Sequence, residues 1–266
     1  MNRITIFKNS FVTLLKYTCM FRSSNPALSE KVFAKHRVTA QSDVMTFTGT
    51  KYKTFIMLAL VVLGASYTWR LASVGATSVN AWMIAGGIGG LITGIITAFS
   101  PRSAHITAPI YSVLQGLLLG GLSAFMAAQF EIAIITQAVG LTFATFFLML
   151  LLYQSGTIKV TAKFRMGVLA ATGAIALMYF ISFIMSFFGV SMPYIHQGGT
   201  IGIIISLVVI VVAALNLALD FDMIERGVKQ GAPKYMEWYG GFGLMVTLIW
   251  LYLEILMLLM KLAGRD

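Results

Sequence analysis

Seven long apolar stretches alternate along this chain with short polar breaks. A hydrocarbon core about 30 Å thick asks for roughly 20 apolar residues per helical crossing, because lipid offers no partner to an open backbone amide or carbonyl. The pattern therefore predicts spans over 54–72, 81–99, 108–128, 132–153, 166–188, 200–224 and 239–261. Pro101, Pro109, Pro193 and Pro233 fall at or near the breaks, where a ring that cannot donate is tolerated. Trp69, Trp82, Tyr153, Tyr194, Trp238 and Tyr239 fall near the predicted interfaces, the level that amphipathic rings prefer. The expected fold is an all-α integral membrane protein, a seven-transmembrane-helix bundle occupying residues 54–266. Of the breaks, only 128–132, carrying Glu131, is short enough to put a boundary in question.

Composition strengthens this reading. Of the 266 residues, 58% are hydrophobic and 11% charged, and the mean hydropathy is +0.86, far from the balance of a soluble domain. The formal charge of +10 resides in a tail and in loops between apolar runs, where lysine and arginine meet anionic headgroups and fix orientation. That distribution argues for a lipid bilayer as partner and against nucleic acid. Residues 1–53 form the basic tail, with Arg3, Lys8, Lys16, Arg22, Lys31, Lys35, Arg37, Lys51 and Lys53 against Glu30 and Asp43. It is not a secretory signal, since Lys8 and Lys16 interrupt its apolar stretch and no small-residue cleavage site follows. Ile4, Phe7, Phe11, Leu14, Leu15 and Tyr17 lie near helical spacing, so this part is partly amphipathic and suits the membrane surface; Ser23-Ser24-Asn25-Pro26 then ends any helix. The single cysteine, Cys19, excludes an internal disulfide and a zinc site; it is a passive residue or a site of S-acylation.

Orientation follows from basic residues near the span ends. With the tail cytoplasmic, that side holds Lys35, Arg37, Lys51, Lys53, Arg102, Lys159, Lys163, Arg165, Arg226, Lys229 and Lys234, against Arg70, Lys261 and Arg265 opposite. The bias places the N-terminus inside, and an odd number of spans places the C-terminus outside, whereas a re-entrant span would return it inside. Gly86, Gly90 and Gly94 in the second span, and Gly116 and Gly120 in the third, recur every four residues and allow helices to approach closely; a flexible gate is the alternative.

Within the spans the informative residues are the ionisable ones, Asp220, Asp222 and Glu254. A charge near mid-bilayer costs at least about 2.5–3.5 kcal/mol, so such a group faces a cavity, finds a partner or takes a proton. Asn216 and Asp220 share a face, while Asp222 points elsewhere and reaches Arg226 one turn on; this makes Asp222 an interfacial ion-pair partner rather than a working group. Glu254 sits deep in the seventh span and shares a face with Gly243, Thr247 and Trp250 or Leu251. It is either a hydrogen-bonded acid gluing two helices or a proton- or cation-responsive site. Gln115 and Gln137, within spans three and four, are interhelical hydrogen-bond partners or pore-lining groups. His105 and His196 lie too far from a third ligand for a metal site, no phosphate-binding loop is present, and no enzymatic chemistry emerges.

Two segments carry a resemblance. "LDFDMIERG" at the end of the sixth span and "WLYLEILMLLMKL" in the seventh resemble the Bax inhibitor-1 / YccA-like family, also called the transmembrane Bax inhibitor motif family. "SSNPALSEKVF" in the tail and "YMEWYGGFGLMVTLIW" look like its bacterial branch. The resemblance implies a bundle whose last helix is central and wrapped by the others. It also implies a pH-sensitive calcium leak, in which two acids on the last two helices share a proton and hold the pore shut. Carried over by position, the first acid is Asp220, opening the Asp-x-x-x-Ile pattern that ends at Ile224. The second is Glu254, standing where Leu-Tyr-Leu-Asp has aspartate.

Two carboxyls in a dry site cannot both ionise cheaply, so loss of their last proton adds repulsion or invites a cation. A simple hairpin turning near residue 230 would, however, leave Asp220 and Glu254 at depths differing by roughly 20 Å at 1.5 Å of rise per residue. They meet only if residues 230–239 do not simply extend the seventh span, for instance by lying along the interface and entering at Gly240-Gly241. The expected role is thus a bacterial inner-membrane, multi-pass cation leak gated by Asp220 and Glu254, supported by Asn216, Asp222 and Gln115. Protons and calcium are its cations, calcium binding only transiently, and no cofactor is expected. One rival is a regulator that binds a membrane protease or other membrane complex through the basic tail. A second, a proton-coupled transporter, lacks the inverted repeat it would need.

Overall fold

The computed structural model describes residues 44–189 and 199–264. Seven helices follow one another there: α1 Phe47–Ser73, α2 Val79–Phe99, α3 Ala104–Gln129, α4 Ile132–Gln154, α5 Ala162–Phe187, α6 Thr200–Lys229 and α7 Met236–Ala263. A 3-10 turn, Pro101–Ser103, leads into α3. All seven are long and apolar enough to cross a membrane, as the hydropathy pattern predicts. Most ends overrun the predicted spans, because a helix keeps its own hydrogen bonds after leaving hydrocarbon whereas the apolar pattern stops at the headgroups. Thus α1 begins inside the segment read as tail and carries Lys51 and Lys53 on its first turns. The amphipathic stretch, Cys19, the Ser23–Pro26 break, Pro193, Tyr194 and His196 lie outside the described residues.

Two placements differ from expectation. Pro109 lies inside α3 rather than at its boundary, close enough to the start that its ring removes one bond from an otherwise long ladder. Tyr239, in the first turn of α7, is fully buried among its neighbours instead of turned toward headgroups; its hydroxyl donates to the Ala98 carbonyl at 3.2 Å, tying that turn to the end of α2.

The last helix is central. It packs against α1, α3, α4 and α6 and buries Met245, Leu248, Leu251, Ile255 and Leu256 among its neighbours. Glycines set how closely the first three helices meet. A Cβ at Gly116 would stand 2.3 Å from the Val61 carbonyl oxygen, and one at Gly120 2.2 Å from that of Ala65. On the other side, a Cβ at Gly86 would stand 2.5 Å from the Leu114 carbonyl oxygen. α3 is therefore held backbone to backbone between α1 and α2, the close approach that lipid-embedded helices use when no hydrophobic force separates them from solvent. At the other end of the sequence, Gly231 at φ +66° closes α6, with Ala232 N–H donating back to the Gly227 carbonyl at 3.0 Å. That left-handed residue reverses the chain at once into α7, and Met45 N–H straps the start of α1 to the same turn through the Ala232 carbonyl at 2.6 Å.

Candidate functional site: a polar file along α5

α5 buries only Arg165, Val168 and Ser182, so apolar packing contributes little to holding it in the bundle. Polar links hold it instead, and they recur every seven residues. Arg165 pairs with Asp222 at 2.5 Å, Thr172 accepts from Asn216 Nδ2 at 2.7 Å, and Tyr179 donates its hydroxyl proton to Glu254 Oε1 at 2.7 Å. Seven residues are close to two turns, so the three side chains lie on one stripe of the helix and span about 21 Å of its rise. Three of the five residues singled out from sequence, Asp222, Asn216 and Glu254, are thus the three that receive α5.

Asp220 is 1% exposed and takes a 2.6 Å hydrogen bond from Thr247 Oγ1 across the α6–α7 seam. Glu254 is 2% exposed; besides Tyr179 it accepts from Trp250 Nε1 at 2.9 Å on the same oxygen. Lys261 donates to the Gly202 carbonyl at 3.2 Å and to Ser206 Oγ at 2.9 Å. Residues 236–239 are the first turn of α7, so the chain does not run along the interface before entering at Gly240. Asp220 stands opposite Thr247, and Glu254 lies two turns beyond, about 10 Å of rise further along α7. The hairpin halves the offset anticipated from sequence without abolishing it, and different partners hold the two acids.

Asp222 behaves as expected toward Arg226, whose guanidinium approaches it at 3.0 Å. The same carboxylate also receives Arg165, which is only 3% exposed. Beside this cluster Tyr153 donates to Glu225, and Glu225 pairs with Lys229 at 2.5 Å. Gln115 is not brought to the acids: its amide lies over Gly90, where a Cβ would come within 2.8 Å of Nε2, so it belongs to the α2–α3 seam. Gln137 is exposed on α4 instead of facing a neighbour.

Sequence reasoning missed Glu237. Its side chain is 2% exposed and lies at the N-terminus of α1, accepting from Thr46 N–H and Thr46 Oγ1, each at 2.9 Å, and pairing with Lys53. The available signal was Gly49, which leaves the space: a Cβ there would meet Glu237 Oε1 at 2.1 Å. Among the described residues no cluster of three or more His, Cys, Asp or Glu side chains is placed to hold a metal ion. His105 is exposed, one ring nitrogen lying 2.9 Å from the Arg102 carbonyl.

A family model described as Bax inhibitor 1 like matches residues 25–264. The chain belongs to the Bax inhibitor 1 like family. The match takes in all seven helices and part of the tail, so the family is shown by the whole bundle and not by the acidic motifs alone. A search among curated proteins gave no match. As a member of this family with seven spanning helices, the chain is a multi-pass membrane protein.

Proposed function

We propose that the protein is a pH-sensitive cation leak, with calcium as its principal ion, gated by Asp220 and Glu254 and seated in a bacterial inner membrane with its N-terminus cytoplasmic. The observation that carries this reading is the polar file on α5. Arg165–Asp222, Thr172–Asn216 and Tyr179–Glu254 lay charged and hydrogen-bonding groups along about 21 Å of α5, from its interfacial end into a core about 30 Å thick. Such groups are expensive in lipid and are kept where an ion or proton passes. The file's two carboxylates, Asp222 and Glu254, are hard oxygen ligands of the kind calcium takes.

The gating pair works in series rather than by contact. Two ionised carboxylates about 10 Å apart repel by roughly 1.7 kcal/mol at an effective dielectric of about 20, enough for each ionisation to depend on the other. With a proton retained, Tyr179 and Arg165 hold α5 against α6 and α7 and the file stays closed. When both acids are charged, repulsion across the α6–α7 seam and the demand for a counter-ion favour loosening the seam that α5 covers and admitting water and a cation. Conduction, not catalysis, is the activity this arrangement serves.

The test is calcium entry into sealed vesicles containing the full chain and a trapped calcium-sensitive dye, followed from about pH 5 to 8, the range in which a perturbed pair of acids changes charge. Flux should rise with pH in the wild type, and Asp220→Asn or Glu254→Gln should each flatten that rise. Wild-type flux that both variants reproduce at every pH rejects the proposal.

A further inference from the structure

A second feature is lined by α1, α3, α4 and α7 and takes in no residue of α5. Between α1 and α4 runs a cleft of about 540 Å³. Its floor is made by α3 and α7, where Leu119, Met245 and Leu248 are buried. Its rims are open: Val62 is 54%, Val139 41% and Ile132 65% exposed. The cleft thus faces sideways from spanning helices, toward the hydrocarbon.

Five hydroxyls line it, and each is already satisfied. Ser66 donates to the Val62 carbonyl at 2.7 Å, Thr142 to that of Ala138 at 2.7 Å, and Thr136 to that of Ile132 at 3.4 Å. Ser123 donates to the Leu119 carbonyl and shares a 2.6 Å hydrogen bond with Tyr252. Their protons are spent inside the protein, so apart from a few acceptor lone pairs the lining offers an occupant apolar surface.

Charge appears at one end. Arg70, exposed on the last turn of α1, continues the row Leu58–Val62–Ser66 by one turn, since residues four apart share a face. Glu131, exposed at the start of α4, directly precedes the lining residue Ile132. A cation and an anion thus flank the mouth at the interface, while an apolar slot runs from there toward mid-membrane. α1 starts at Phe47, about 35 Å of rise from Arg70, so the charged mouth opens on the membrane face opposite the start of α1.

We infer that this cleft binds one phospholipid, with an acyl chain in the slot, its phosphate on Arg70, and Glu131 favouring a headgroup that carries an ammonium over one that is purely anionic. The phosphate–guanidinium contact is the paired geometry arginine provides, and Glu131 sets the headgroup by attraction on one side and repulsion on the other.

The test is native mass spectrometry of the full chain, extracted from vesicles of equal phosphatidylethanolamine and phosphatidylglycerol and passed through detergent exchange. The wild type should retain one phospholipid, enriched several-fold for ethanolamine. Val139→Trp and Ser66→Phe fill the slot from exposed positions, so they leave the helices intact, and should cut the bound fraction at least fivefold. Arg70→Gln should lower retention, and Glu131→Gln should erase the headgroup preference. A second measurement needs no slot-filling variant: phosphatidylcholine brominated along its chains should quench wild-type fluorescence more than that of Trp69→Phe, because Trp69 lines the cleft. Retention unchanged in both filling variants, detergent or a second copy of the chain in place of lipid, or equal quenching with and without Trp69, each overturns the inference.

Discussion

Glu237 is a carboxylate in the first turn of one helix serving the first turn of another. It places negative charge where the α1 dipole is positive, satisfies the Thr46 amide, and neutralises Lys53, whose side chain is 18% exposed. Removing one partner of a buried ion pair typically costs about 3–5 kcal/mol; because Lys53 reaches water, the lower end applies. Glu237→Ala should therefore destabilise the bundle by about 3 kcal/mol, whereas Glu237→Gln, which can still accept from Thr46, should cost about half as much. Reversible unfolding in mixed micelles reads both. Gly49→Ala should behave like Glu237→Ala, since the added carbon would displace the carboxylate. From sequence alone Glu237 is one more charge beside a loop, because nothing in the local pattern says that the start of α1 will lie against the start of α7. Asp220 and Glu254 stand out because hydrocarbon makes any charge conspicuous. Their partners Thr247 and Trp250 fall on the same predicted face as Glu254 by helical spacing, whereas Tyr179, across a helix boundary, does not.

Among the elements α5 is the least committed to the bundle. Phe180, Phe183 and Phe187 on its outer surface are 59–74% exposed, as befits a lipid-facing stripe, and its inner stripe depends on the Arg165, Thr172 and Tyr179 links. Helices held by few apolar contacts open locally at low free energy. A hydrogen bond to a charged group contributes roughly 1.5–3 kcal/mol, so losing one should speed opening of this helix by about tenfold or more. Tyr179→Phe and Arg165→Gln should accordingly raise amide exchange across 162–187 while leaving α1 and α3, held backbone to backbone at Gly116 and Gly120, unchanged. Equal acceleration in all helices would mean global loosening and would remove α5 as the moving part. The recurrence of Arg165, Thr172 and Tyr179 at seven residues is visible in the sequence, but single hydroxyls are common in spans and draw no notice until their partners are known. The spans themselves are legible because bilayer thickness fixes a length that composition must meet; their ends are less so, because helices continue past the hydrocarbon.

At the scale of the whole molecule, an odd number of spans puts the two ends on opposite faces, and the distribution of basic residues must decide which is which. The raw count from sequence includes side chains that the fold pairs: Lys53 with Glu237, Arg165 and Arg226 sharing the single charge of Asp222, and Lys229 with Glu225. Setting these aside leaves, among the described residues, Lys51, Arg102, Lys159, Lys163 and Lys234 near the face where α1 begins. Near the other face stands Arg70, while Lys261 is turned inward onto Gly202 and Ser206. The asymmetry therefore survives pairing, and each such residue contributes about 1 kcal/mol toward the anionic cytoplasmic leaflet, so the loop 155–161 should face the cytoplasm and 74–78 the outside. In a Cys19→Ser background, a membrane-impermeant maleimide added to intact cells should label Ala76→Cys and leave Thr157→Cys unlabelled until the membrane is opened. The reverse pattern would invert the bundle. It would also move the Arg165–Asp222 end of the polar file to the outer face, so that protons would reach the file from the opposite compartment.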